Sequence, residues 1–221
     1  MAIVELDGTP VGNGHPVYVI AELGNNHLGN IEEAKKLIAV ANAAGANAVK
    51  LQKRFNRVLY TSDFYNSPYN SEAAYAPTYG EHRDYLEFSS GQYRELQECA
   101  LDLGITFIAT PFDIPSVEFL EDLDVPYYKV ASGSVQNPLL LRRIASIGKP
   151  VVVSFGGAKP DVIFKTVTEF EKGGCPLVLL HCTASYPTRP EHLGLKRIGW
   201  LKEKFPQHVV GFSDHDDGVS I

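Results

Sequence analysis

A single unit recurs along this chain: an amphipathic helix that ends in glycine, followed by a short strand of almost continuous apolar residues. Gly45, Gly104 and Gly148 each end such a helix just before an apolar run. Strands that are apolar without alternation are buried on both faces, which is typical of the parallel sheets of α/β proteins. Strict alternation of strand and helix favours a (β/α)8 barrel. A doubly wound dinucleotide fold would carry Gly-x-Gly-x-x-Gly after its first strand, but residues 24–29 read GNNHLG.

The pattern predicts seven strands of such a barrel and no eighth. They cover residues 17–23, 48–52, 106–110, 127–131, 151–154, 177–181 and 209–213. An N-terminal β-hairpin that begins with Ile3–Leu6 precedes them, and residues 55–89, which lack periodicity, are predicted to form a long functional loop. We therefore expect one barrel domain over residues 1–221, incomplete at its C-terminal end. The unpaired edges of an open barrel would invite pairing with another chain.

Composition excludes several classes of partner. The chain has 221 residues, 44% of them hydrophobic, which is enough to bury a full core. Its net charge of -6 includes no basic run, so neither nucleic acid nor an anionic membrane surface is an expected partner. No apolar run approaches the roughly 20 residues that a membrane span needs. Three widely spaced cysteines, Cys99, Cys175 and Cys182, are consistent with a reduced, cytoplasmic setting.

Lys129 is the most informative single residue. It lies inside an apolar strand that leads into Ser132-Gly133-Ser134. A lysine in such a position is unfavourable unless an anion meets it, and the hydroxyls and backbone N–H groups that follow are suited to phosphate or carboxylate oxygens. The alternative is a lysine whose ammonium reaches solvent at the end of its strand.

The other predicted strands also end in polar residues. In barrels of this kind the active site forms at the C-terminal ends of the strands. Two lysines and several hydroxyls there predict a site for a compact anion, with Glu22 as an acid/base group and His215 as a metal ligand or proton carrier. His181, between Leu180 and Cys182, is interpreted as a core histidine. The polar residues at the strand ends are Glu22, Lys50, Gln52, Thr110, Asp113, Lys129, Ser132, Ser134, Ser154, His181, Thr183, Ser213, Asp214 and His215.

Six segments in order carry a family resemblance. They are IAELGNNH at 20–27, AVKLQ at 48–52, ATPFD at 109–113, KVASG at 129–133, HCT at 181–183 and GFSDH at 211–215. Together they resemble the N-acylneuraminate (sialic acid) synthase family over essentially the whole chain. That resemblance implies condensation of phosphoenolpyruvate with the aldehyde of an N-acetylhexosamine, commonly N-acetylmannosamine. The implied products are a nine-carbon 2-keto sugar acid and phosphate.

The resemblance also implies a divalent metal, most often manganese (Mn²⁺) with magnesium (Mg²⁺) as the alternative, which polarises the sugar aldehyde as a Lewis acid. It implies a homodimer, in which a C-terminal antifreeze-like domain reaches the neighbouring site; residues 1–221 contain no such domain. Carried over by position, Glu22 lies by the sugar and the reacting carbons, His215 is one metal ligand, and Gln52 and Tyr186 line the sugar side. The residues implied for phosphoenolpyruvate are Lys50, Thr110, Lys129, Ser132, Ser154 and Ser213.

The sequence departs from the family pattern at several points. Ser134 stands where an acidic residue is common, and Phe155 would place an aromatic ring in the mouth of the barrel. Ala184-Ser185 replaces a pair that often carries an amide, and a second metal-binding histidine would belong to the eighth strand. Two alternatives therefore stay open: an inactive phosphoenolpyruvate-binding homologue or a fragment that needs a partner, and a Schiff-base aldolase that uses Lys129 or Lys50.

Overall fold

The computed structural model describes residues 2–216 as an α/β protein with parallel sheets. The chain divides into two compact units. Residues 18–125 form the first unit; residues 2–17 together with residues 126–216 form the second.

The first unit contains a three-stranded parallel sheet in the order β3-β4-β5. Its strands are β3 (Ile20–Gly24), β4 (Ala48–Lys53) and β5 (Thr106–Pro111). Its helices are α1 (Ile31–Ala43), α2 (Asn56–Leu59), α3 (Ser62–Tyr65), α4 (Tyr79–Tyr85), α5 (Ser90–Leu103) and α6 (Ile114–Asp122).

The second unit contains a β-hairpin and a four-stranded parallel sheet in the order β6-β7-β8-β9. The hairpin pairs β1 (Ile3–Leu6) with β2 (Thr9–Gly12), and its turn residues Asp7 and Gly8 both have positive φ, as a two-residue type I′ turn requires. The parallel strands are β6 (Tyr128–Val130), β7 (Val151–Ser154), β8 (Leu177–Cys182) and β9 (Val209–Ser213). Its helices are α7 (Pro138–Ala145), α8 (Pro160–Lys172) and α9 (Lys196–Lys204), with short 3-10 turns at Ser132–Ser134 and Pro190–His192.

Local chemistry explains where the helices begin and end. Asn30 caps α1 by accepting hydrogen bonds from two backbone N–H groups, and Ser89 forms a capping box with Gln92 at the start of α5. Gly104 ends α5 in the left-handed conformation. Asp113 caps α6: one carboxylate oxygen accepts from the N–H and hydroxyl of Ser116. The predicted hairpin, the glycine-terminated helices and the parallel strands are confirmed.

Two predictions about the elements were wrong. The first strand of the parallel sheet begins at Ile20, not at residue 17, because Val17 is 85% exposed and does not join the sheet. Residues 55–89 do not form one long loop, since they contain α2, α3 and α4. Side-chain caps from Thr61 and Thr78 start two of these short helices. Elements of four to seven residues are too short to show a 3.6-residue period in the sequence.

Gly80, in α4, lies directly against the buried ring of Tyr65. A Cβ atom at Gly80 would overlap that ring, and the Tyr65 hydroxyl is held by a hydrogen bond to Asp84. We expect Gly80→Ala to lower the free energy of unfolding by about 1–3 kcal/mol, measured by urea denaturation. Gly91→Ala in α5 is the matched control, because its Cβ would meet nothing closer than 4.0 Å and alanine favours helix. Equal effects of the two changes would contradict this prediction.

Candidate functional site

The register of the first sheet places four of the predicted site residues together. Glu22 pairs with Lys50 across β3 and β4, and Gln52 pairs with Thr110 across β4 and β5. Lys50 and Gln52 are two residues apart on one strand, so their side chains leave the same face of the sheet. Glu22, Lys50, Gln52 and Thr110 therefore form a group at the C-terminal ends of these strands, which we call the first cluster.

Lys50 and Glu22 form an ion pair in the first cluster. The lysine side chain is only 9% exposed, whereas the glutamate side chain is 48% exposed. Thr110 is almost fully buried. In this pair the ammonium of Lys50 is buried, whereas the carboxylate of Glu22 is accessible to solvent or to a substrate.

Arg54 adjoins the first cluster and was missed by the sequence analysis. Its Nη2 donates to Oε1 of Gln52 at 2.6 Å, and its guanidinium lies 3.8 Å from the ring centroid of Phe112. Arg54 is 7% exposed. The signal was present, because Lys50, Gln52 and Arg54 follow one another at a spacing of two residues.

The four-stranded sheet of the second unit forms a corresponding group. Lys129 pairs with Val152, two residues before Ser154. Ser154 pairs with Leu180, two residues before Cys182, and Cys182 pairs with Ser213. Parallel register and a period of two therefore place Lys129, Ser154, Cys182 and Ser213 on one face, and we call these residues the second cluster.

Lys129 is a buried cation in this cluster. It is 6% exposed, and its Nζ donates to the backbone oxygen of Val130 at 3.1 Å. Within residues 2–216 no carboxylate forms an ion pair with it. Burial lowers the pKa of Lys129 from an ordinary value of 10.5 to about 8, and nearby Cys182 opposes this shift. The ammonium thus lacks the anionic partner that its burial calls for.

Two serines carry hydroxyl groups in this part of the second unit: Ser154, on the same sheet face as Lys129, and Ser132, in the turn after β6. The Ser154 Oγ is buried and has no hydrogen-bond partner among the described residues, which is unusual for a buried hydroxyl. The Ser132 Oγ accepts from the N–H of Gly156 at 2.8 Å. A Cβ atom at Gly156 would come within 2.9 Å of that oxygen and 3.0 Å of the Cys182 Sγ, so only glycine allows this close approach. Phe155 is 1% exposed, which corrects the expectation that its ring would occupy an open mouth.

His215 follows β9 and is oriented by its neighbours. Its Nδ1 lies 3.0 Å from the backbone oxygen of Thr183 and 3.7 Å from the Sγ of Cys182. Because a carbonyl oxygen only accepts, Nδ1 carries the proton and the lone pair of the neutral ring is on Nε2, the usual arrangement of a metal-binding histidine. Tyr186, 75% exposed, packs its ring against His215 at a centroid distance of 4.1 Å.

Two residues near the strand ends have structural roles. His181 is a buried core histidine whose Nε2 lies 2.7 Å from the backbone oxygen of Leu193, as the core interpretation expects, but its Nδ1 has no hydrogen-bond partner among the described residues. Ser134 is also buried, in the 3-10 turn after β6.

Within residues 2–216, no three His, Cys, Asp or Glu side chains are grouped closely enough to hold a metal ion. No helix in that part of the chain is long and apolar enough to cross a membrane.

In a comparison with known protein families, residues 37–221 match the NeuB family. The chain belongs to the NeuB family. This NeuB-family chain is 38% identical to the human N-acetylneuraminate-9-phosphate synthase over 97% of its own length and 60% of that protein. It is 34% identical to the N,N'-diacetyllegionaminic acid synthase of Legionella pneumophila over 96% of its length and 61% of that protein.

A solved structure gives the same result. The crystal structure of an N-acetylneuraminic acid (sialic acid) synthetase from Leptospira borgpetersenii, in complex with citrate, superposes with a TM-score of 0.87 at 31% sequence identity. The match covers 99% of this NeuB-family chain and 72% of that protein. The chain spans about 60% of the length of the two curated relatives described above.

Proposed function

We propose that this chain is the catalytic part of a synthase that condenses phosphoenolpyruvate with the aldehyde of an N-acetylhexosamine, N-acetylmannosamine or a related sugar. The observation that carries the proposal is Lys129, a buried cation without a carboxylate partner among residues 2–216. It shares a sheet face with Ser154, whose buried hydroxyl has no hydrogen-bond partner among those residues. The names of the relatives support the reaction class. We further propose that the chain folds as a (β/α)8 barrel that forms one catalytic domain. The alternation of helices with parallel strands supports this fold.

Phosphoenolpyruvate carries a carboxylate and a phosphate, so it requires positive charge and hydrogen-bond donors. Lys50 and Lys129 supply the charge, and their burial strengthens the interaction with an anion. The hydroxyls of four residues supply neutral donors. These are Thr110, Ser132, Ser154 and Ser213.

The sugar side of the proposal uses Glu22, Gln52 and Tyr186. The reaction joins C3 of phosphoenolpyruvate to the aldehyde carbon, adds water at C2, and releases phosphate. The aldehyde oxygen gains a proton as the attacking water loses one, and the second proton of that water leaves with the phosphate when the C2 ketone forms. Glu22 is the exposed carboxylate placed to transfer the proton that the aldehyde oxygen gains, because its ion pair with Lys50 holds the side chain in place. Gln52, held by Arg54, and the exposed ring of Tyr186 line the sugar.

His215 is the proposed metal ligand. Its Nδ1–H donates to Thr183, which fits Nε2 as a donor to a divalent ion, Mn²⁺ foremost and Mg²⁺ as the alternative. Such an ion, when bound, supplies Lewis-acid polarisation of the aldehyde. His215 alone is one ligand of a set that residues 2–216 do not complete. We also propose that the protein is cytoplasmic and that it is a homodimer or is completed by a second chain.

The test is phosphate release from phosphoenolpyruvate, measured with N-acetylmannosamine and with its 6-phosphate. We expect release that requires both the sugar and a divalent metal, that EDTA abolishes, and that excess Mn²⁺ restores. Phosphoenolpyruvate binding without any release, abolished by Lys129→Ala, would show an inactive binding homologue. A lysine adduct trapped by borohydride with a keto acid would show a Schiff-base aldolase instead, since metal-dependent condensation forms no imine.

A further inference from the structure

The end of β4 carries a buried cation on the face that points away from the first cluster. Gln52 lines the proposed sugar side, and the Nη2 of Arg54 donates to its Oε1 at 2.6 Å. Side chains alternate along a strand, so Lys53 leaves the opposite face of β4. There its Nζ lies 4.8 Å from the ring centroid of Phe55 and 5.4 Å from that of Tyr93, and the residue is 6% exposed.

Lys53 and Glu87 together bind both backbone groups of Arg54. The Nζ of Lys53 donates to the Oε2 of Glu87 at 3.0 Å and to the backbone oxygen of Arg54 at 3.3 Å. The same Glu87 oxygen accepts from the backbone N–H of Arg54 at 3.4 Å. The last register pair of β4 with β5 joins Lys53 to Pro111, so Arg54 lies just beyond the paired strand. Lys53 and Glu87, which we call the outer ion pair, thus hold the backbone where it leaves the sheet.

Two further hydrogen bonds fix the backbone on either side of Arg54. The hydroxyl of Tyr93 donates to the backbone oxygen of Gln52 at 2.7 Å. The backbone N–H of Phe55 donates to the Oδ2 of Asp113 at 2.8 Å. Side chains from outside the strand therefore determine the path of the backbone from residue 52 to residue 55.

Stability alone does not explain the outer ion pair. The side chains of Lys53 and Glu87 are only 7% and 15% exposed. Burial raises the pKa of Glu87, and the charge of Lys53 opposes that shift. Replacing a buried ion pair with apolar side chains of similar size is often neutral or stabilising. An apolar pair could not, however, supply the two hydrogen bonds to the backbone of Arg54.

We propose that the outer ion pair positions the side chain of Gln52 for the sugar, acting through the backbone and the guanidinium of Arg54. Its two members are positioning residues, because they lie on the face of β4 away from the first cluster. The consequence for the sugar rests on the proposed function.

The position of Gln52 matters because its amide lies close to Glu22, the proposed acid/base group. A Cβ atom on Gly24 would lie 3.4 Å from the Oε1 of Glu22 and 3.6 Å from the Nε2 of Gln52, so both side chains approach the same point. Displacement of a substrate by about 1 Å can cost about 10²-fold in rate. A shift in the backbone of residues 52–54 would therefore reach the chemistry.

The order of the Gln52 side chain is the direct measurement. Its side-chain amide signal in an NMR spectrum, assigned by its loss in Gln52→Glu, reports motion whether or not a sugar is turned over. Lys53→Met/Glu87→Leu removes both partners of the Arg54 backbone without leaving a lone buried charge. We expect this double variant to lower the order parameter of the Gln52 amide from about 0.8 to below about 0.6. An unchanged order parameter would overturn the proposal.

Three further variants support this measurement. Glu87→Gln keeps an acceptor for the backbone N–H of Arg54 and should retain the order of Gln52. Lys53→Met alone removes only the donor to the Arg54 oxygen, so it should give a smaller loss of order and provides the test if the double variant does not fold. Glu95→Leu is the matched control, because it breaks an ion pair with Lys35 at a carboxylate that is 48% exposed. Equal effects of Lys53→Met and the control would overturn the proposal.

Steady-state kinetics test the consequence for the sugar. In Lys53→Met/Glu87→Leu we expect KM for the N-acetylhexosamine to rise about 10-fold and kcat to fall about 10-fold, with KM for phosphoenolpyruvate unchanged. Glu87→Gln should stay close to the unaltered chain. An ion pair that only stabilised the fold would change the urea midpoint and leave kcat and both KM values unaltered, which would overturn the proposal. No turnover by the unaltered chain, with the expected change in Gln52 order, would refute only the proposed function.

Discussion

Replacing Lys129 with methionine should abolish phosphoenolpyruvate binding and at the same time stabilise the fold at neutral pH. The ammonium of Lys129 is buried, and among the described residues its Nζ donates a hydrogen bond only to the backbone oxygen of Val130. It can therefore bind an incoming anion. Lowering its pKa from 10.5 to about 8 corresponds to roughly 3 kcal/mol against the charged form. Methionine has a similar length and removes that cost, so we expect a gain of about 1–3 kcal/mol in the free energy of unfolding at pH 7.

The pH dependence has a definite sign. In the unfolded chain the lysine keeps its ordinary pKa, so between about 8 and 10.5 the unfolded state binds more protons and the stability of the unaltered protein rises with pH. The advantage of Lys129→Met is therefore full below pH 8 and shrinks towards pH 10.5. For the same reason phosphoenolpyruvate affinity should fall as pH rises above about 8, because the free ammonium is lost. Binding at and above that pH should take up protons, because the anion raises the pKa of Lys129.

Urea unfolding of both proteins at pH 7 and pH 10 measures the stability effect. Calorimetric titration with phosphoenolpyruvate in buffers of different ionisation enthalpy measures affinity and proton uptake. Lys202→Met, at an exposed position of α9, is the matched control and should leave phosphoenolpyruvate binding intact. Destabilisation by Lys129→Met at pH 7 together with retained binding would show that Lys129 is a structural lysine.

The sequence predicted those site residues that depend on strand periodicity. Lys129, Ser154 and Ser213 share one face because parallel register and a two-residue period carry that face across the sheet. The pairing of Glu22 with Lys50 follows from the same rule, although the sequence could not show that their side chains form an ion pair. The identity of the partners depends on side-chain conformation, which periodicity does not fix.

The residues that the sequence analysis missed lie where periodicity ends. Arg54 directly follows β4, so its alternation with Lys50 and Gln52 was visible but its stacking on Phe112 was not. Tyr79 belongs to a seven-residue helix within the segment predicted as a loop. Its ring packs on those of Tyr60, Phe64 and Tyr69, a kind of order that has no period in the sequence. The buried ring of Phe155 was misplaced for a related reason, since the residue after a strand does not keep its alternation.

Glu22→Gln should separate catalysis from substrate binding. Glutamine keeps the shape of the side chain but cannot hold or deliver a proton, so we expect kcat to fall by about 10²- to 10⁴-fold. Glu22 is also the ion-pair partner of Lys50. Its neutralisation removes one negative charge beside that lysine, so phosphoenolpyruvate affinity should be retained or increased rather than lost.

The measurements for Glu22→Gln are kcat from phosphate release and the Kd for phosphoenolpyruvate from calorimetry. Glu98→Gln, at an exposed position of α5, is the matched control and should alter neither quantity. A parallel loss of kcat and phosphoenolpyruvate affinity would mean that Glu22 acts by positioning Lys50, because an acid/base group lowers the rate without weakening the bound anion. A fall in kcat alone, with phosphoenolpyruvate affinity retained, is the result that a catalytic Glu22 requires.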